Sequence, residues 1–570
     1  MIRTSLFIAL ALSCFAGVAT AKNYLEDYLP ETTLFSFSLD DSTSLVAALE
    51  NGELSKLVSE DQKETWLEDI KEPLEIGDGK RFKLPNGEEV SMSNLNELLS
   101  GRICVAVVSL DAENEMEPAI VLMADFAGEI DALKFLQISD RDESSDEVLL
   151  VEEEYAGITL FTEEIVGLPN DEWMAEYWTL VDGIAIEATS LDLLKNTVDA
   201  VIDSRNEGLG NTPAFLRAID LSSDAQMRGF VNLKSGTAIF REFLDSDIGD
   251  LPMNPLAVTS DSLWTSLALD SMDAVFVSFD YESQDMESVF GLLYQERAGL
   301  LSMLAYSQDP VRYPHWVPKD AVASTVSMID FPEVFAAFES VMNIMSPNFG
   351  SMFQLQLDNF REQSDIDMRE SLMNNFGDQF ISFTVWKELE EDVAVAIDNE
   401  QKIIAIPVRD PQAFQNAIKG LTEIFMPGTE VLTEREFLDL IIITPANHGM
   451  EDAPFGYALA DGYLFLAIGS VDLLERTLYH VRESSEGLWN QSYIVDALRQ
   501  FPPNPVESNY FNLGTVLEEI FKLYQNELSD DFDFDMPDFS EVELPYYMIS
   551  TGYIIEGAQL TRARILPKKP

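Results

Sequence analysis

Cysteine and histidine are nearly missing from this chain of 570 residues, which has 2 of the first and 3 of the second. Cys14 lies in the N-terminal apolar stretch, so once that stretch is removed Cys104 has nothing to pair with and no intramolecular disulfide is expected. His315, His448 and His480 are far apart, and none is spaced with another histidine or a cysteine as metal ligands are. Neither H-E-x-x-H nor G-x-S-x-G occurs, and there is no phosphate-binding loop or G-x-G-x-x-G. No catalytic, cofactor-binding or metal-ligating residue is therefore assigned, no cofactor is expected, and the chain reads as leaning away from an enzyme.

Positive charge is also scarce: 35 Lys and Arg face 101 Asp and Glu, a net charge of −66. Phosphate backbones need clustered cations, so nucleic acid is excluded as a partner. Anionic membrane surfaces are disfavoured for the same reason. No segment after the N-terminus reaches the roughly 18 consecutive apolar residues a membrane span requires. Yet 46% hydrophobic and 10% aromatic residues belong to a folded globular protein, not a disordered acidic tail. The charge is then a coat on a folded object, suited to a saline or divalent-rich medium, with weak association of divalent cations expected.

What is present begins with an export signal. Arg3 precedes an apolar stretch from Leu6 to Val18 that ends in Ala19-Thr20-Ala21. A basic start, a short apolar core and an A-x-A exit are what a signal peptidase reads, so cleavage after Ala21 is expected. A lipoprotein anchored through Cys14 is the alternative, but Ala11 stands where such sites prefer Leu or Val. The destination is periplasmic or extracellular. Cys104, within Ile103-Cys104-Val105-Ala106-Val107-Val108, reads as a buried strand cysteine.

The rest of the chain repeats itself. Leu180-Val181-Asp182-Gly183 matches Leu459-Ala460-Asp461-Gly462, and Ser190-Leu191-Asp192-Leu193-Leu194 matches Ser470-Val471-Asp472-Leu473-Leu474. Glu207-Gly208-Leu209 then meets Glu486-Gly487-Leu488, and Phe230-Val231-Asn232-Leu233 meets Tyr510-Phe511-Asn512-Leu513. Order and offset are both kept, as they are in a tandem duplication. The openings Leu29-Pro30-Glu31-Thr32 and Val317-Pro318-Lys319-Asp320 correspond, as do Gly101 and Gly377. Pro310, Pro314 and Pro318 read as a linker, which divides the mature chain into copies 22–309 and 310–570.

Within a copy, the Asp-Gly pairs at 182–183 and 461–462 and Asn86-Gly87 signal hairpins. Ser190 and Ser470 open helices, and Asn232 and Asn512 stand at N-cap positions. Phe331–Ile344 and Leu355–Asn375 have the spacing of longer amphipathic helices. Helices and hairpins interleave without strict strand–helix alternation. The expected fold is α+β: two related modules, each an antiparallel sheet with helices packed on it.

The acidic runs carry little chemistry. Asp531, Asp533 and Asp535, within Asp530–Asp538, have the alternate spacing that opens a calcium loop. Met536 replaces the required glycine and Val542 falls where the bidentate Glu belongs, so a solvated loop is expected. Glu152-Glu153-Glu154 reads as a solvated turn.

The openings, with Leu29-Pro30-Glu31-Thr32-Thr33-Leu34 in the first copy and Val317-Pro318-Lys319-Asp320-Ala321 in the second, resemble an exported bacterial family catalogued as domain of unknown function three-three-five-two. Leu372-Met373-Asn374-Asn375-Phe376-Gly377-Asp378-Gln379 is similar to that family's helix-to-strand junction. The resemblance implies no activity, substrate or site residue.

A non-enzymatic scaffold or binding protein of the cell envelope or periplasm, with an envelope protein as partner, is the expected function. The alternatives are a secreted carboxylate-dependent hydrolase and a calcium-dependent binding module. The charge makes a first prediction: salt screens self-repulsion, so the melting temperature should rise with ionic strength and with added Ca²⁺. A thermal melt that is flat from low to high salt would sink it.

Overall fold

The computed structural model describes residues 24–40, 82–83, 89–90, 99–111, 117–126, 148–165, 176–203, 208–222, 225–249, 258–281, 286–386, 400–425, 432–446, 455–483, 486–516 and 546–568. The expected signal 1–21 with Cys14, His448 and the acidic run Asp530–Asp538 lie outside these residues. The chain divides into two compact units, Met1–Phe240 with Met272–Leu293, and Arg241–Ser271 with Tyr294–Pro570.

The strands of the first unit are β1 (Phe35–Leu39), β2 (Phe82–Lys83), β3 (Glu89–Val90), β4 (Leu99–Asp111), β5 (Glu117–Phe126) and β6 (Val148–Tyr155). They continue with β7 (Ile158–Ile165), β8 (Glu176–Val181), β9 (Ile184–Ala188), β10 (Met227–Asn232), β11 (Met272–Asp280) and β12 (Met286–Tyr294). Helices α1 (Leu191–Ile202), α2 (Pro213–Leu221), α3 (Leu233–Gly249) and α4 (Ser260–Leu267) fall between them in sequence. Antiparallel pairing runs in the order β11-β10-β1-β4-β5-β9-β8-β7-β6.

The second unit has β13 (Ala323–Ser327), β14 (Phe380–Trp386), β15 (Glu400–Pro407), β16 (Leu432–Phe437) and β17 (Leu440–Pro445). It adds β18 (Phe455–Ala460), β19 (Tyr463–Ile468), β20 (Glu507–Phe511), β21 (Tyr546–Ile555) and β22 (Ala558–Pro567). Its helices are α5 (Phe331–Met345), α6 (Pro347–Ser364), α7 (Pro411–Phe425), α8 (Val471–Arg482) and α9 (Ser492–Leu498). The pairing order, β21-β20-β13-β14-β15-β19-β18-β17-β16, is that of the first unit strand for strand. The fold is α+β and antiparallel throughout these pairings.

Local chemistry explains the joints. Asp182 and Gly183 both have positive φ, 50° and 84°, and Asp461 and Gly462 repeat this at 49° and 78°. Two successive left-handed residues make the turn whose twist matches a hairpin, and Asp-Gly adopts it cheaply. Phe82↔Val90 and Lys83↔Glu89 pair on either side of Asn86-Gly87. Ser190 Oγ accepts from Leu193 N at 3.3 Å and caps α1, whereas Ser470 has the extended N-cap backbone without a side-chain bond. Asn232 Oδ1 accepts from Ser235 N at 3.1 Å, and Asn512 Oδ1 from Thr515 N at 3.5 Å. Glu152, Glu153 and Glu154 are exposed but stand in β6, not in a turn; Glu153 pairs with Lys195 of α1 at 2.8 Å.

Strand alternation separates two faces. In the second unit the row Ile403–Phe383–Ser324–Tyr510–Ile549 runs across adjacent strands and is buried with Trp489, whose Nε1 donates to Ser324 Oγ at 3.2 Å. The next row, Ser382–Thr325–Asn509–Ser550, is polar, and Thr325 Oγ1 donates to Asn509 Oδ1 at 2.7 Å. A period of two puts one row under the helices and the next on the opposite face. Leu473, Leu474 and Leu478 of α8 join the same core as Phe383 and Phe465.

Two segments fall differently from a boundary at 309/310. The proline-containing stretch is packed, not a free linker: Trp316 and Val317 are buried in the second unit's core, and Tyr313 Oη and Ser508 Oγ share a 2.9 Å hydrogen bond. Burying two large rings outweighs the extended tendency of the prolines. Residues 241–271 belong to the second unit, where α4 packs on α5 and Ser262 Oγ donates to Met345 O at 2.9 Å.

Each opening is locked to a later glycine turn. Leu209 N donates to Leu29 O, and Leu488 N donates to Val317 O, both at 2.8 Å. A Cβ on Gly208 would collide with Asp27 O, and one on Gly487 with His315 O, both backbone atoms that cannot swing aside. We predict that Gly208→Ala and Gly487→Ala each lower stability by about 2 kcal/mol or more, as overpacking does. Gly236→Ala, which meets nothing within 4 Å on α3, should instead raise it by about 0.5–1 kcal/mol. Urea unfolding midpoints decide; an unchanged midpoint for both turn variants would refute the lock.

Candidate functional site

The matching pairing orders allow the sheets to be compared row by row, and one buried row differs in charge. On the buried face of the first unit lies the row Cys104–Ser38–Arg228–Ser278. The matching row of the second is Ile381–Val326–Ser508–Thr551, which holds no charge. Arg228 Nη1 donates to Asp40 Oδ2 at 2.6 Å and Nη2 to Ala225 O at 2.5 Å. Glu26, 2% exposed, faces Ser38 beside this pair. Burial pushes its carboxyl above the ordinary carboxylate range, only partly offset by the Ser38 hydrogen bond and the Arg228 charge. Burial likewise raises Asp27 and Asp125, the latter against the opposing pull of Arg102, which hydrogen-bonds it. Arg228 pairs with Asp40 and Arg102 with Asp125, while Arg228 Nε is buried without a partner; with its charges paired, the set reads as a structural cluster of the first unit.

Cys104 is fully buried on β4, and burial pushes its thiol well up, which suits an inert core side chain. His315 sits in a turn with its carbonyl facing Gly487, and His480 lies in the last turn of α8, its pKa lowered by burial and then by Arg476. The structure does not bring these two into one site with a third ligand: among the described residues, no group of three His, Cys, Asp or Glu could hold a metal.

An open surface feature stands instead on the second unit. α5 starts at Asp330, whose Oδ1 accepts from Glu333 N at 3.1 Å, with proline at the head of the helix. It ends at Ser346, whose extended backbone (φ −152°) stops one helix while its Oγ accepts from Phe349 N at 3.1 Å and starts the next. Pro347 follows as the first residue of α6, where its missing N–H costs nothing. One serine thus joins the two helices, and a Cβ on Gly350 would meet the Asn343 side chain, which can swing aside. Asp365, in the left-handed region at φ 55°, ends α6.

Between the two helices lies a cavity of about 500 Å³. Phe338, Met342, Phe349, Phe353 and Leu355 supply its apolar lining. The Phe349 and Phe353 rings stack at 6.5 Å. Glu339 and Asp358 stand in the lining too, with Asn343 and Gln354 as neutral polar groups. Glu339 pairs with Arg369, whose guanidinium also lies 5.8 Å from the Phe335 ring. Asp358 accepts from Gln354 Nε2 at 3.1 Å. Val341 is the buried residue of α5 and Phe360 that of α6, while Phe338 is 37% exposed, Ile344 46%, Met352 48% and Leu355 56%. Of these exposed side chains, Phe338 and Leu355 line the cavity.

Sequence reading found α5 but not this groove. It began the second helix at Leu355, whereas α6 starts at Pro347 and ends at Ser364, with a separate π-turn at Arg369–Met373. The missed signal was Ser346-Pro347, a cap followed by a first-turn proline.

No family model and no curated protein matches the chain. Solved structures similar to it include those titled "Structure of crystal form I of TP0453" and "Structure of crystal form IV of TP0453". The first is 10% identical, covers 49% of this chain and 82% of its own, and has a TM-score of 0.22. The second is 8% identical, covers 46% and 94%, and has a TM-score of 0.21.

The buried carboxyl yields a pH prediction. A raised folded-state pKa means that Glu26 costs nothing below the unfolded value of about 4.3, and destabilises increasingly as pH climbs above it. Glu26→Gln should therefore match wild type near pH 4 and melt higher at pH 7 to 8. A variant less stable at neutral pH would contradict the assignment.

Proposed function

We propose that this chain is a non-enzymatic exported binding protein of the bacterial envelope or periplasm, of the family its openings resemble, and that it binds through the groove between α5 and α6. The observation that carries this reading is the apolar lining left open to solvent, with Leu355 56% and Phe338 37% exposed at its mouth. Fully burying an exposed side chain of this kind is worth about 1.5–3 kcal/mol, and these are partly exposed, so a ligand covering several gains about half of that from each. The duplicated sheets supply a rigid frame, and the shared positions of the two units are turns, caps and core residues. Under this reading the first unit's charged cluster holds structure and the second unit presents the surface.

A neutral naphthylamine dye tests it. Fluorescence should rise on native protein, and the double substitution Phe338→Asp with Leu355→Asp should weaken dye affinity at least tenfold, roughly 1.4 kcal/mol, with an unchanged far-ultraviolet spectrum. Equal affinity in the double variant would remove the groove as the site.

A further inference from the structure

The charges gathered at the opening of the first unit do not balance, and this holds whatever the α5–α6 groove binds. We propose that the opening segment, residues 24–29, is a proton-operated latch: seated on the first unit's sheet while Glu26 carries its proton, and lifted from it when Glu26 ionises.

Each cation there already has an acid. Arg228 pairs with Asp40 at 2.6 Å, and Arg102 bonds Asp125, which leaves Glu26 and Asp27. Asp27 has help, since Asn211 Nδ2 donates to it at 3.2 Å and the Arg102 charge reaches it. Glu26, 2% exposed, is held by the Ser38 hydroxyl and its own backbone amide, and among the described residues no cation bonds it. Arg228 Nε is buried without a partner, yet the guanidinium is spent on Asp40, and the Asp40 charge itself opposes ionisation of Glu26. The remaining neighbours add no free cation. Cys104 of β4 is buried within reach of the Glu26 charge, and the Tyr24 ring lies 5.5 Å from Arg228. The turn Leu209–Asn211 has no ionisable residue. On α1, which also touches the opening, Lys195 pairs with Glu153, Asp199 accepts from Tyr155, and Asp192 is a further acid. A buried carboxylate with no cation of its own takes a proton or returns to water.

The segment can return to water alone. Thr33 Oγ1 closes a turn onto Pro30 O at 2.7 Å, and just beyond it Leu34 N is fixed to Val107 O at 2.9 Å, so β1 keeps its place if residues 24–29 lift. What holds them down is the Leu209–Leu29 bond, the buried Leu25 and Leu29, and the edge of Tyr24 against Phe215 at 6.0 Å. Lifting uncovers that apolar strip. The second unit is built without the device. Its glycine turn sets His315 where the first has Asp27, so Pro314 stands in place of Glu26, and Ser508 stands in place of Arg228. Pro314 has no proton to lose.

The test is amide hydrogen exchange, read by mass spectrometry on the full mature chain from about pH 5 to 8 and corrected for the intrinsic pH dependence of exchange. Ordinary carboxyls are already ionised above about pH 6, so general surface repulsion hardly changes over the upper part of that range. The seated Glu26 holds its proton more tightly than the lifted one, so lifting gains up to about tenfold per pH unit above the free value of about 4.3, until the seated acid ionises as well. Protection of residues 24–34 should therefore fall as pH rises, while residues 313–323 of the second unit stay level. Glu26→Gln should flatten the profile and keep residues 24–34 protected at about pH 8, and Asp27→Asn should leave the slope in place. Level protection of residues 24–34 in the wild type overturns the latch without any variant. A slope that survives Glu26→Gln, or disappears in Asp27→Asn, overturns the assignment to Glu26. A parallel loss in residues 313–323 overturns it too, because the whole chain is then unfolding and no single segment is released.

Discussion

The bond from a Gly-Leu turn to the opening segment is the constraint on which each unit depends. Leu29 and Val317 present their carbonyls to Leu209 N and Leu488 N, and Gly208 and Gly487 leave the backbone room to do so. The segments that follow, β1 and β13, are not edge strands but lie in mid-sheet, flanked by β10 and β4 in one unit and by β20 and β14 in the other. Strands so placed close very long loops, and such closure costs entropy before any contact repays it. Anchoring the chain just ahead of the strand sets its register, and register decides which face of every neighbour is buried.

Register then lets the two units differ safely inside the same frame. Ser36 and Ser324 occupy equivalent central positions, next to Phe230 and Tyr510, and all four are buried. Two residues along, the frame holds Ser38 and Arg228 in one unit and Val326 and Ser508 in the other. The first solution needs Asp40 to meet the guanidinium and leaves Glu26 with a raised pKa; the second needs only Tyr313 and a serine hydroxyl. A buried charge must be paired or neutralised, so this exchange requires several residues to change together, and no single position reveals it.

The groove follows a different logic. Sheet and capping rules bury α8 and α9 against the strands, but α5 and α6 bury little beyond Val341 and Phe360. α5 also packs on α4, yet Phe338 and Leu355 stay partly exposed between the two helices, and amphipathic spacing in a sequence looks the same whether the stripe meets a sheet or water. Leu355 and Phe338 are therefore readable as helical and apolar, while their exposure is not readable at all.

By itself the sequence determined the α+β class, the repeated order of motifs, the Asp-Gly hairpins, the asparagine caps and the buried setting of Cys104, because each rests on interactions between near neighbours or on a short period. It also determined the acidic balance, which is a sum over residues. Tertiary structure alone decided that Trp316 is core and not linker, that residues 241–271 pack with the second unit, that Glu26 sits beside Arg228, and that a groove opens between α5 and α6. Those facts depend on which distant surfaces meet, and burial, the quantity that sets them, is a property of pairs of segments that local pattern does not encode.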